Sequence, residues 1–116
     1  MSEADCLFCR IAAREIPSVV VYETEKFLGF NDIHPQAPVH VLFMPKRHIA
    51  GVHEITAQNA GEAGSLILAA HEVAREKGLT ENGYRLVINC GKDCGQTVDH
   101  LHLHLLGGRR MTWPPG

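Results

Sequence analysis

Histidine alternates with leucine in His100-Leu101-His102-Leu103-His104, and Leu105-Leu106-Gly107-Gly108 follow. In an extended strand successive side chains point to opposite faces. This spacing therefore puts three imidazoles on one side and Leu101, Leu103 and Leu105 on the other, where a core can take them. Imidazoles two positions apart stand roughly 6.5–7 Å apart along the strand, a spacing that suits a phosphate-sized group or a metal ion. Each ring titrates near neutrality and can present a lone pair on one nitrogen and a proton on the other. Such a row fits nucleophilic, acid–base or metal chemistry on a rigid element. A purification tag would be consecutive and terminal, and this segment alternates.

Cys6-Leu7-Phe8-Cys9 is the second group with chemical capacity. A Cys-x-x-Cys pair serves redox exchange or half of a zinc site. The redox reading needs a preceding strand in a thioredoxin-like unit, and none precedes it; the zinc reading needs two further ligands from elsewhere. Cys90 and Cys94 lie in a loop without neighbouring ligand types and read as free thiols.

The elements that must position these groups are legible in outline. Cys9 to Glu15 reads as a short helix stopped by Ile16-Pro17. Val19 to Tyr22, Phe27 to Asn31, His40 to Met44, Tyr84 to Asn89 and His100 to Leu106 read as strands. Asp32-Ile33-His34-Pro35-Gln36-Ala37-Pro38 is a turn-rich link between the second and third. Thr56 is the expected N-cap of a long helix reaching Lys77, with Gly78 at its C-terminal stop. Ala60, Ala63, Ile67, Ala70 and Ala74 step by three and four and predict its buried face. Gly61 and Gly64 each cost a helix about 1 kcal/mol relative to Ala, which a close approach by another backbone would explain. Strands with two interspersed helices and short links predict an α+β domain with a mainly antiparallel sheet.

Length and charge narrow the function classes. The 116 residues, 45% of them hydrophobic, read as one domain spanning 1–116. A net charge of −2 with signs interspersed offers no basic footprint for a nucleic-acid polymer. No apolar run reaches the length of a membrane span, and Met1-Ser2-Glu3-Ala4-Asp5 is acidic, the wrong start for a signal peptide. The expectation is a cytoplasmic protein with reduced thiols, for which metal binding is the first use to test.

The pattern His-φ-His-φ-His-φ-φ at 100–106, with φ apolar, resembles the histidine triad (HIT) family, and most closely its nucleotide-binding Hint branch. Asp32 to His40, Pro45-Lys46-Arg47-His48-Ile49, Gly83-Tyr84-Arg85, Gly95-Gln96-Thr97-Val98 and terminal Trp113-Pro114-Pro115-Gly116 resemble that branch too, so the likeness covers essentially the whole chain. It implies a five-stranded antiparallel sheet with two helices. It also implies a homodimer, paired through the long helix and fourth strand into a ten-stranded sheet.

By this resemblance the substrate is a purine nucleotide, an adenosine 5′-phosphoramidate of the AMP-NH2 or AMP-lysine type. His102 would be the nucleophile that attacks phosphorus, expels the amine and forms a nucleotidyl-histidine for water to release. His104 and His40 would contact the phosphate, Thr97 would carry a hydroxyl toward the leaving group, and Asn89 and Gln96 would supply neutral donors. For Asn89, Gln96 and Thr97 the competing reading is ordinary turn chemistry. Asp32 would accept from both ribose hydroxyls, with Phe30 and Ile33 flanking the base, and Trp113 would approach the partner's nucleotide site. His34, His53 and His71 read as solvated. Relatives of the family bind zinc through Cys-x-x-Cys and two histidines, which here implies Cys6, Cys9, His48 and His100 around one structural zinc. Hydrolysis of dinucleoside polyphosphates, or nucleotide binding as an interaction protein, are the alternatives.

Overall fold

Alternation within the strands decides how the layers form. The computed structural model describes residues 5–116; Met1 to Ala4, on which the signal-peptide expectation rests, lie outside the described residues. The elements are α1 (Leu7–Ala12), β1 (Val20–Glu23), β2 (Phe27–Asn31), β3 (Val39–Pro45), α2 (Ala60–Glu76), β4 (Tyr84–Val87) and β5 (Leu103–Gly107). The strands form one antiparallel sheet in the order β1-β2-β3-β5-β4, the α+β arrangement with two helices that was expected. On one face Val41, Phe43, Leu103 and Leu105 pack with Leu66, Ala70 and Val73 of α2. On the other, Leu28, Phe30, Leu42 and Met44 pack with Cys6, Phe8 and Ile11 around α1. Neighbouring residues of β3 thus serve opposite cores, as a period of two requires. No helix among the described residues is long and apolar enough to cross a membrane.

Several boundaries differ from the sequence reading. The first helix is Leu7–Ala12 rather than Cys9 to Glu15, because Cys6 Sγ accepts the Cys9 N–H at its start and Arg14 turns the chain out at φ 61°. The long helix starts at Ala60 behind Asn59, not at Thr56. The Thr56 hydroxyl accepts from Gln58 N–H, and Thr56 N–H donates to Asn59 Oδ1, so these side chains form a turn ahead of the helix. Its C-terminus is as expected: Leu79 N–H donates to Ala74 and Gly78 N–H to Arg75, with Gly78 at φ 74°. This double closure needs a left-handed residue, which glycine supplies without strain.

The buried face of α2 is Leu66, Ala69, Ala70, Val73 and Ala74. Ala70 and Ala74 were placed correctly, whereas Ala60 and Ile67 are exposed and Ala63 is half-buried. The helix is apolar around much of its girth, so small residues at the right spacing did not distinguish the core-facing stripe. Gly61 and Gly64 have nothing within 4 Å of an added Cβ among the described residues.

β4 ends at Val87 rather than Asn89. β5 begins at Leu103, leaving His100 and His102 just ahead of it. The reason lies in the partner strand. The ladder runs from Val39↔Gly107 to Phe43↔Leu103, and the next residue of that kind on β3 is Pro45, which has no N–H to continue it. The inward–outward alternation persists nonetheless: Leu101 stays in the α2-side core, and its N–H donates to Ile49 instead.

Candidate active site and metal centre

His100 falls to the α1 side and joins the two cysteines. Cys6 Sγ lies 3.3 Å from His100 Nδ1; Cys9 Sγ lies 3.3 Å from His48 Nδ1 and 3.5 Å from His100 Nδ1. All four ligand atoms lie within 4.8 Å of one another. In a tetrahedral zinc shell, with bonds of about 2.3 Å to sulfur and about 2.0 Å to nitrogen, unlike ligands stand about 3.5 Å apart. The residues therefore fit the metal. His100 Nε2–H donates to the Pro45 carbonyl at 2.7 Å, which leaves the Nδ1 lone pair aimed at the sulfurs. Burial pushes this imidazole down to about 4, with the Pro45 carbonyl opposing, so the ring is neutral as a ligand must be. Four protein ligands leave no open position, which makes the site structural.

His102, two residues on, is fixed differently. Its Nδ1 stands 2.7 Å from the His100 carbonyl, an atom that only accepts, so Nδ1 carries the proton and Nε2 keeps its lone pair. Phe8, between the two cysteines, meets the ring edge-on at a centroid distance of 4.9 Å. Desolvation lowers the pKa of His102, against the raising effects of its bond to the His100 carbonyl and of the Asp32 charge.

His104 pairs in register with Leu42, two pairs along the ladder from His40↔Leu106, so His40 and His104 are diagonal neighbours on one face. Gln36 N–H donates to His40 Nδ1 at 3.0 Å. The only proton of neutral His40 is then on Nε2, which donates to His104 Nδ1 at 2.9 Å. His104 must in turn carry its proton on Nε2. Desolvation, then repulsion from His102 and His40, pushes His104 down to about 4 despite the opposing Asp32 charge; desolvation also lowers His40. Asp32 Oδ2 lies 3.5 Å from His40 Nε2, while Oδ1 accepts the His34 N–H at 2.8 Å. Asp32, His40 and His104 have the residue types and closeness of a metal site. The Gln36 N–H argues otherwise: it holds a proton on the His40 nitrogen that would have to bind the ion. This cluster is a hydrogen-bonded relay.

Asp32, Phe30, Ile33, Thr97, His102 and His104 all line one cavity of about 310 Å³. Asn89 and Gln96 are not among its lining residues. The Gln96 amide closes its own loop, donating to Ala50 and Val98 carbonyls while its oxygen accepts Gly91 N–H. Trp113, 81% exposed, sits in a groove beside β4, and Arg85 donates to Thr112 just before it. Leu7, Phe8 and Ile11 also line the cavity and were missed, because between and after cysteines they read only as helix residues. Gln36 was missed because its contribution is a backbone N–H, which no residue type announces. Cys90 and Cys94 are exposed and belong to neither cluster, although Cys90 Sγ lies 3.5 Å from His53 Nδ1, a neighbour the sequence did not reveal. His71 is exposed, and its Nδ1 lies 2.6 Å from Tyr84 OH.

Comparison with known proteins agrees with this architecture. The family described as "HIT domain" matches residues 13–111. A HIT family hydrolase of Legionella pneumophila is 50% identical and superposes with a TM-score of 0.94, covering 97% of this chain and 100% of that one. A histidine triad nucleotide-binding protein of Candida albicans is 34% identical with a TM-score of 0.79, covering 95% of this chain and 83% of that one. The 14 kDa zinc-binding protein of Zea mays is 47% identical over 118 residues, covering 100% of this chain and 91% of the relative.

Proposed function

This chain belongs to the HIT domain family, and from that premise we propose that it hydrolyses the P–N bond of adenosine 5′-phosphoramidates through a nucleotidyl-histidine. We read residues 1–116 as one such domain, of the Hint type. The carrying observation is the bond from His102 Nδ1–H to the His100 carbonyl, which leaves Nε2 as a lone pair in the cavity. Nε2 attacks the α-phosphorus and the P–N bond breaks; the departing amine takes a proton from solvent through the Thr97 hydroxyl at the cavity wall, and the hydrolytic water returns one in the second step. His104, with its proton on Nε2, donates to a phosphoryl oxygen as charge gathers there. Water then attacks the phosphorus, releases AMP and restores neutral His102. Asp32 takes the ribose hydroxyls, and Phe30, Ile33, Leu7 and Phe8 enclose the base. The likeness to a hydrolase and to a nucleotide-binding protein supports this reading.

Zinc held by Cys6, Cys9, His48 and His100 supplies a structural tie between α1 and the segment that carries His102, in line with the name of the maize relative. A cytoplasmic setting keeps these thiols reduced and available to the metal. The working unit is a homodimer: β4 is a sheet edge, Ile67 and Leu68 are exposed on α2, and Trp113 stands out beside β4. Pairing there would build the ten-stranded sheet and bring each Trp113 toward the partner's cavity.

The test is turnover of a fluorogenic adenosine phosphoramidate beside a diadenosine polyphosphate. Preferred cleavage of the phosphoramidate is expected, and preferred cleavage of the polyphosphate would overturn the assignment. Sedimentation should show a dimer that Leu68→Glu converts to monomer.

A further inference from the structure

The tautomer of His104 is decided two hydrogen bonds away, by the backbone of Gln36. Gln36 N–H occupies His40 Nδ1, which puts the His40 proton on Nε2, which makes His104 Nδ1 an acceptor and its Nε2 a donor. Asp32 Oδ2, 3.5 Å from His40 Nε2, can only accept and favours the same tautomer, while the peptide N–H occupies the other ring nitrogen. Gln36 is held twice more: its side-chain Nε2 donates to the His34 carbonyl, and its own carbonyl accepts Arg109 Nε–H at 2.9 Å. Arg109 comes from the far end of β5. It arrives there because Gly108, at φ 91°, passes so close to Pro38 that an added Cβ would lie 2.9 Å from a proline carbon. The strand that carries His104 therefore also returns to clamp the loop that orients it.

We propose that Gln36 and Arg109 are a positioning pair that sets the His40–His104 relay, so that His104 presents a proton to the phosphate. Neither side chain lines the cavity. Their effect is to hold one N–H against His40. Without the clamp, His40 Nδ1 can take the proton itself, the relay reverses, and His104 offers a lone pair where the phosphate needs a donor. The consequence for turnover rests on the nucleotide reading above; the tautomer claim does not.

Nitrogen NMR of the imidazoles tests the claim directly. In the wild-type dimer at neutral pH, His40 and His104 should each show an unprotonated Nδ1 and a protonated Nε2. Arg109→Met should replace this with averaged signals for both rings, while Arg109→Lys, which keeps a donor for the Gln36 carbonyl, should preserve it. Gln36→Pro deletes the N–H outright and should give the same averaging as Arg109→Met. Should it misfold, the Arg109 pair carries the test. In phosphoramidate turnover Arg109→Met should lower kcat roughly tenfold with KM little changed, and Arg109→Lys should recover most of it. Unaltered single-tautomer signals in Arg109→Met would overturn the proposal. Wild-type protein with the expected tautomers but no phosphoramidase turnover would overturn the catalytic reading and leave the positioning pair standing.

Discussion

Two clusters of histidine flank His102 and have taken opposite chemistry. On one side His48 and His100 turn lone pairs toward Cys6 and Cys9; on the other His40 and His104 share a proton beside Asp32. The rings come from the same two stretches of chain, β3 with its continuation and the segment that leads into β5 together with the start of that strand. What separates His100 from His40 is the hydrogen bond at the other nitrogen of the ring. A carbonyl, from Pro45, meets His100 and makes Nδ1 a ligand; an N–H, from Gln36, meets His40 and makes Nε2 a donor. His102 follows the carbonyl rule as well, so its free nitrogen is a lone pair facing the cavity rather than a metal. Backbone partners, more than residue types, assign the roles.

The harshest way to break this comparison is His102→Ala. It leaves both flanking clusters intact and should lower phosphoramidase turnover by several orders of magnitude, about 1.4 kcal/mol of barrier for each, while AMP binding measured by calorimetry persists. A nucleotidyl adduct trapped on His104 instead would show that the roles are exchanged.

His104→Ala sharpens the contrast by removing a donor but not the attacking nitrogen. Its turnover should fall about 10²–10³-fold, less than for His102→Ala, as for loss of one charge-stabilising donor. Equal losses in steady-state kinetics would mean that the two rings act as one unit.

On the metal side, Cys6→Ser with Cys9→Ser should abolish the one zinc per chain expected from elemental analysis. It should also lower stability by a few kcal/mol, a drop in Tm on the order of 10 °C. Chelation of the wild-type protein should do the same. Metal-free protein with unchanged Tm and turnover would remove the closed cluster from the account.

The smallest effect separates the clusters by pH. The folded-state value of His104 is about 4, below the 6.5 of a free imidazole, because burial and its histidine neighbours oppose its charge. An unfolded chain therefore takes this proton first as the solution is acidified. The stability His104 contributes is complete above pH 6.5 and is lost as pH falls toward 4. His104→Asn should flatten the fall of Tm over that window relative to wild type. A parallel fall in both proteins would place the acid sensitivity elsewhere, with release of the metal the next cause to examine.

Much of this was open to reading in the sequence, and the exceptions share a cause. Strict alternation at 100–105 announced a chemical face and a core face, and the two faces hold even where the ladder stops short of His100. Cys-x-x-Cys announced half a metal site. The buried stripe of α2 was misjudged because alanine and glycine carry little directional signal, and Thr56 because its side chain served a turn. The contacts of the Gln96 amide with the Ala50 carbonyl and the Gly91 N–H were equally out of reach of the sequence, because both partners are backbone groups.

The residue types, their period of two and the cysteine spacing were determined by the sequence alone, because side-chain direction along an extended chain needs no knowledge of the fold. Which nitrogen of each of these imidazoles carries a proton and which keeps a lone pair was decided only by tertiary structure. An imidazole is ambivalent until one nitrogen is occupied. The groups that occupy them, the carbonyls of Pro45 and His100 and the N–H of Gln36, are backbone atoms that every sequence has and only a fold can aim.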